Sequence, residues 1–172
     1  SKKGSFIFIL PISTLLICCI DMALKGILSS EVEVHASAFK WFKLFSKELH
    51  NVQNTTDRVH KTKLLQGDDW HSIGSVKQWT DIVDGKQSHY KERLDAIDER
   101  NKTITYTLFD GDFNKNYNVF KLLFQVIEKG NNVFIKWTID YEKMNENVEP
   151  PYDFMDHLTK STKEIDAFLL KA

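Results

Sequence analysis

The C-terminal part of the chain constrains its fold most. Val133, Ile135, Trp137, Ile139 and Tyr141 alternate with polar residues in period 2, and the stretch Ile139 to Glu149 then leads into Pro150-Pro151. Beyond the prolines, Phe154, Leu158, Ile165 and Leu169 recur with helical spacing. Proline cannot donate to a strand ladder, so the pair is expected to end the strand and a single amphipathic helix to follow. A long helix with one apolar face needs an apolar surface to lie on, and the strand before it belongs to a sheet that can supply one. A curved sheet closing on a terminal helix is the expected architecture.

The preceding segments fit that sheet. Ile27 to Val34 reads as a first strand, and Ser37 is placed to cap a short helix carrying Phe39, Trp41, Phe42, Leu44 and Phe45. A second short helix is expected around Thr55 to Arg58. From Val59 onward, strand-like runs are separated by Gly67 to Gly74, Asp84-Gly85, Asp98 to Asn101, Asp110-Gly111 and Gly130-Asn131-Asn132, which carry the residue chemistry of hairpin turns. The pattern is that of an antiparallel meander, without repeats, low-complexity tracts or linkers.

Parity assigns the faces. Ile104, Tyr106 and Leu108 oppose Thr103, Thr105 and Thr107, and Phe120, Leu122, Phe124 and Val126 form the next apolar row. In the strand Ser88 to Ile97, Tyr90, Glu92, Leu94 and Ala96 fall on one side and His89, Lys91, Arg93 and Asp95 on the other. Glu92 therefore lies on the apolar face. A carboxylate there is costly unless paired or hydrogen-bonded. It can serve in a rim or structural salt bridge, recognise a cationic ligand, or act as an acid or base with a raised pKa. Tyr90 and Tyr106 offer hydroxyls on the same face. On the terminal helix the hydroxyl of Thr159 or Thr162 can meet a ligand or bond back to the preceding turn.

With 172 residues and a net charge of −1, the chain has the size and composition of a single domain, and no basic block that would track phosphates. Nucleic acid is not an expected partner. Residues 1–21 differ from the rest: Lys2 and Lys3 precede an apolar run from Phe6 to Ile20 that resembles a secretory signal but lacks a small-x-small cleavage site. The run is shorter than the roughly 20 apolar residues of a spanning helix. Met22 is the expected natural start, which makes 22–172 the domain and 1–21 a leader outside it, and no membrane insertion of the body is expected. Cys18 and Cys19 both lie in the leader, so the body has neither a disulfide framework nor a thiolate metal site, as suits a reducing cytoplasm. If the leader does export the chain, the protein is secreted or vesicular, and Asn54-Thr55-Thr56 and Asn101-Lys102-Thr103 become glycan acceptors. The six histidines show no metal-ligand spacing, and neither a metal nor a cofactor is expected.

Gly67-Asp68, Gly74-Ser75-Val76, Trp79, Asp84-Gly85-Lys86, Asp110-Gly111-Asp112 with Tyr117 and Phe120, and Trp137 with Tyr141 to Glu146 follow one another in an order and spacing that resemble the major latex proteins. These belong to the plant Bet v I and class-ten pathogenesis-related superfamily. The closing Asp166 to Ala172 matches as well, so the resemblance covers nearly all of 22–172. It implies an α+β helix-grip fold: a seven-stranded antiparallel sheet wrapped around a long C-terminal helix, two short helices after the first strand, and a large internal hydrophobic cavity. One loop departs from the family pattern, since Trp70 and His71 stand where more glycine is usual. That departure removes any basis for a phosphate cradle.

The resemblance further implies a monomeric carrier of hydrophobic or amphipathic plant metabolites, of the steroid, flavonoid, hormone or fatty-acid class, in defence or stress response. Leu108, Phe120, Phe124, Ile135, Trp137, Met155, Leu158 and Thr162 would then line the ligand, and His60, Tyr90, Glu92 and Tyr106 would orient it. The alternative is an alkaloid-modifying isomerase or lyase, because Tyr90-Lys91-Glu92 resembles the tyrosine and glutamate pair of norcoclaurine synthases. The lysine of those enzymes falls at Ile104 here, which leaves Glu92, with Tyr90, as the acid-base candidate. A third option assigns the apolar helix faces to a protein partner.

Overall fold

A computed structural model describes residues 24–172; the expectations for the leader and its cysteines lie outside the described residues. Seven strands form one antiparallel sheet: β1 (Lys25–Val34), β2 (Val59–Gln66), β3 (Val76–Val83), β4 (Lys86–Asp98), β5 (Thr103–Phe109), β6 (Tyr117–Lys129) and β7 (Asn132–Lys143). Helix α1 (Ala38–Lys47) and a 3-10 turn (Leu49–Asn54) follow β1, and helix α2 (Tyr152–Lys171) closes the chain. The spatial order is β1-β7-β6-β5-β4-β3-β2, so every strand from β2 to β7 pairs with its neighbour in sequence while β1 crosses to pair with β7. Between β3 and β4, Asp84 (φ 48°) and Gly85 (φ 70°) both take the left-handed conformation of a two-residue turn whose twist matches that of the strands.

The inner face of the sheet is apolar as parity requires. Ile104, Phe124, Ile135 and Ile139 are fully buried on it, and α2 lies across it against β1, β3 and β7 with Phe154, Leu158, Ile165 and Leu169 inward. Helix α1 plugs one end: Phe45 stacks on Phe124 at 4.3 Å between ring centroids and meets Trp137 edge-on at 5.6 Å. Ser37 caps α1 by accepting the Lys40 N–H at 3.3 Å. The two helices are tied together at the α2 C-terminus, where Lys40 Nζ donates to Leu169 O at 2.9 Å. Asp166 completes the tie, accepting from the backbone N–H groups of His35 and Ala36, each at 2.9 Å, and from Trp41 Nε1 at 3.3 Å.

Three local expectations are corrected. The prolines do not end β7; the strand stops at Lys143 because its partners run out there, β6 beginning at Tyr117 opposite Lys143 and β1 at Lys25 opposite Glu142. Pro150 and Pro151 instead lead into α2. The second short helix is not centred on Thr55 to Arg58 but is the 3-10 turn before it. Leu49 and Val52 bury at the three-residue spacing such a turn eclipses, and Thr55 Oγ1 closes it by donating to Val52 O at 2.7 Å. Finally, Ala96 is exposed, because the β4–β5 register shifts between Leu94 and Ala96 and the extra residue reverses parity; Ile97 takes the inner position opposite Ile104.

Candidate functional site

Between the sheet and α2 lies an internal cavity. Its apolar wall is built from Phe45, Leu49, Val52, Val59, Leu122, Leu158 and Ile165. The rest of the lining is largely polar, because β3, β4, β5 and α2 each contribute polar side chains to it: Trp79 and Asp81, Tyr90 and Glu92, Tyr106, and His157 and Ser161. The volume that the centre of a water molecule can occupy is about 50 Å³. At roughly 10–15 Å³ for each water, that is room for a few waters or a short ligand, and far less than the large cavity the resemblance implies.

Two buried polar clusters shape the wall. In the first, Glu92 faces Lys77 across the β3–β4 pair, with Lys77 Nζ 3.7 Å from Glu92 Oε1 and relative exposures of 0% for Lys77 and 6% for Glu92. Glu92 is thus a buried ion-pair partner and not a rim residue. Lys77 donates two of its three N–H groups, to Trp70 O at 3.3 Å and Ser75 Oγ at 3.2 Å. Burial pushes the Glu92 carboxyl from its ordinary 4.5 up to about 7, a rise that the Lys77 ammonium and the nearby Trp79 indole oppose. Burial lowers the Lys77 ammonium for the same reason, against the attraction of Glu92.

In the second cluster Asp81 Oδ2 accepts from Tyr90 OH at 2.6 Å and lies 3.0 Å from His157 Nε2, while His157 Nδ1 lies 3.1 Å from Ile82 O. Both imidazole nitrogens are therefore engaged, and the Asp81–His157 link fastens α2 to β3. Desolvation, followed by the charge of Asp81, holds the Tyr90 phenol well above its usual value. Tyr106, buried near Glu92, is raised likewise. The position of Tyr90 depends on a glycine: a Cβ on Gly111 would lie 2.6 Å from Tyr90 Cβ and 2.9 Å from His89 O.

Of the residues that the sequence marks for a ligand, Tyr90, Glu92, Tyr106, Trp137 and Leu158 stand on the cavity wall. Leu108, Phe124, Ile135, Met155 and Thr162 are buried in the core around it. Thr162 bonds back to Leu158 O at 2.8 Å and accepts from Trp137 Nε1 at 2.9 Å. Phe120 is buried but lines a separate surface depression with Tyr117, Pro150 and Phe154. His60 is exposed; the β2–β3 register shifts between Val59 and Lys61, and His60 is the extra residue turned outward while Val59 stays inside. Sequence reasoning missed Lys77, Asp81, His157 and Ser161. The first two were within reach, since both share the parity of Trp79 on β3. Among the described residues no group of three or more His, Cys, Asp or Glu is arranged to hold a metal, and no helix is long and apolar enough to cross a membrane.

Comparison with known proteins agrees with this architecture. Residues 23–172 match the model of the Pathogenesis-related protein Bet v 1 family. MLP-like protein 43 of Arabidopsis thaliana is 34% identical over 151 residues, covering 86% of this chain and 95% of its own. MLP-like protein 34 of the same plant is also 34% identical, over 145 residues and 83% of this chain, which spans only 46% of that longer protein. The crystal structure of ginseng major latex-like protein 151 from Panax ginseng superimposes with a TM-score of 0.82 at 30% identity, covering 86% of this chain and 99% of that one. The chain belongs to the Bet v 1 family of pathogenesis-related proteins, among its major-latex-protein-like members.

Proposed function

We propose that the protein binds and carries a hydrophobic or amphipathic plant metabolite in the cavity between the sheet and α2. The observation that carries this reading is the cavity itself, with an apolar wall that supplies affinity and a few polar groups that fix orientation. The candidate classes are steroid, flavonoid, hormone and fatty acid. The pathogenesis-related family supports a part in defence or stress response. A cysteine-free body supports a cytoplasmic setting. The small free volume favours slender ligands, and a rigid sterol would require α2 to move away from β3 and β7. Protein purified under native conditions should release a small molecule detectable by mass spectrometry, and a panel of the four classes should quench the fluorescence of Trp79 and Trp137 saturably. Absence of both would refute the carrier.

The raised pKa of Glu92 at the cavity wall supports a second reading, acid-base catalysis on an alkaloid. It requires multiple turnover by the wild type that Glu92→Gln abolishes. A ligand recovered unchanged, with no turnover across an alkaloid panel, would exclude it.

A further inference from the structure

Among the described residues six buried side-chain atoms lack a hydrogen-bond partner: Thr62 Oγ1, Trp79 Nε1, Asp81 Oδ1, Glu92 Oε1, Tyr106 OH and Ser161 Oγ. All but Thr62 belong to residues of the cavity wall. A buried polar atom left alone is costly, and native cores keep few of them. Five gathered around one cavity from β3, β4, β5 and α2 are not scattered packing defects; they set out the polar head group that a ligand of this cavity would need.

Their chemistry specifies it. Asp81 Oδ1 and Glu92 Oε1 are carboxylate oxygens that only accept when ionised, the Tyr106 and Ser161 hydroxyls accept as readily as they donate, and Trp79 Nε1 alone must donate. A head group that matches them is therefore rich in donors. The donors already present do not reach them: Lys77 gives two of its three N–H groups to Trp70 O and Ser75 Oγ and stands 3.7 Å from Glu92 Oε1, an ion-pair distance beyond hydrogen-bond reach, and both His157 nitrogens face other acceptors. A ligand carboxylate would meet the carboxyls of Asp81 and Glu92, with only the Lys77 ammonium beside Glu92 to offset them.

We propose that this wall is a subsite for a primary ammonium group, borne on a slender apolar ligand body that lies against Phe45, Leu49, Val52 and Ile165. The proposal rests on the carrier reading and names the head group that the carrier selects. An ammonium brings three donors to four available acceptors and joins the carboxylates through charge-assisted bonds.

The test uses three probes of equal chain length, n-hexylamine, n-hexanol and n-hexanoate, titrated calorimetrically into the purified protein at about pH 8, where the amine is protonated and the acid ionised. The amine should bind at least about tenfold more tightly than the alcohol, with the hexanoate weakest. Tyr106→Phe removes a hydroxyl that has no internal partner, so it should weaken the amine by several-fold and the alcohol less, and leave unfolding unchanged or slightly improved. Glu92→Gln should narrow the gap between amine and alcohol. Equal binding of all three probes, or preference for hexanoate, would overturn the ammonium subsite and leave the carrier standing. Binding of a metabolite from the four classes but of no hexyl probe would do the same. Failure of every probe and every metabolite would mean a cavity holding water alone, and both readings would fall.

Discussion

Exchanging Glu92 for glutamine should change how stability depends on pH. The folded protein holds this carboxyl near 7 against an ordinary 4.5. Below the lower value the group is protonated in both folded and unfolded chains and costs nothing. As the pH rises, the unfolded chain releases the proton first, so folding must retain it or bury a charge. Stability contributed by the protonated form is lost between pH 4.5 and about 7. At roughly 1.4 kcal/mol per pH unit the loss amounts to about 3 kcal/mol. Glutamine has no proton to lose. The stability difference between wild type and Glu92→Gln should therefore swing by about 3 kcal/mol against the wild type across that window and level off above it. Urea unfolding followed by tryptophan fluorescence at closely spaced pH values would measure it, with carboxylates common to both proteins cancelling. A difference that stays constant within about 1 kcal/mol would show that the Glu92–Lys77 pair is ionised as easily as it would be in water, and would refute the argument.

Thr162→Val should cost about 1–3 kcal/mol in chemical denaturation, since it strands the buried Trp137 N–H without an acceptor. Asp166→Ala should cost on the order of 3 kcal/mol, because three donors from the β1–α1 junction and α1 lose one shared acceptor. Burial pushes the Asp166 carboxyl up, but the Ala36 and His35 N–H groups outweigh it and hold the group below 3.8, so its contribution should disappear as pH falls through that depressed value and the two proteins should converge in strong acid. Gly111→Ala should cost about 1–3 kcal/mol by forcing Tyr90 from its place, and should weaken ligand binding even where the protein stays folded.

Periodicity and turn chemistry carried most of the architecture. The inner rows of β5, β6 and β7, the capped α1 and the apolar stripe of α2 all follow from spacing, because each buries one face against a single core. The sequence pattern stopped short wherever one inserted residue reset the alternation. The irregularities at His60 and Asp95 turned His60 outward and exchanged Ala96 for Ile97, and parity gives no warning of a bulge. The polar wall was half readable. Glu92 and Tyr90 stood out on an apolar face, whereas His157 and Ser161 look like ordinary breaks in a helical stripe until α2 is laid over β3. Cavity size was not readable at all, since it depends on how closely α1 and α2 settle into the curvature of the sheet.

The pairing of β1 with β7 also bears on how the molecule comes into being. Val34 lies opposite Val133 and Lys25 opposite Glu142, so the first of the described strands pairs with the last of them. During synthesis, β1 must wait as an unpaired edge while the hairpins from β2 to β6 assemble by local contacts. The β1–β7 seam and the docking of α2 are then late, long-range steps. The cavity beneath α2 therefore closes late, and a compound able to occupy it would favour completion of folding as well as residence in the finished protein.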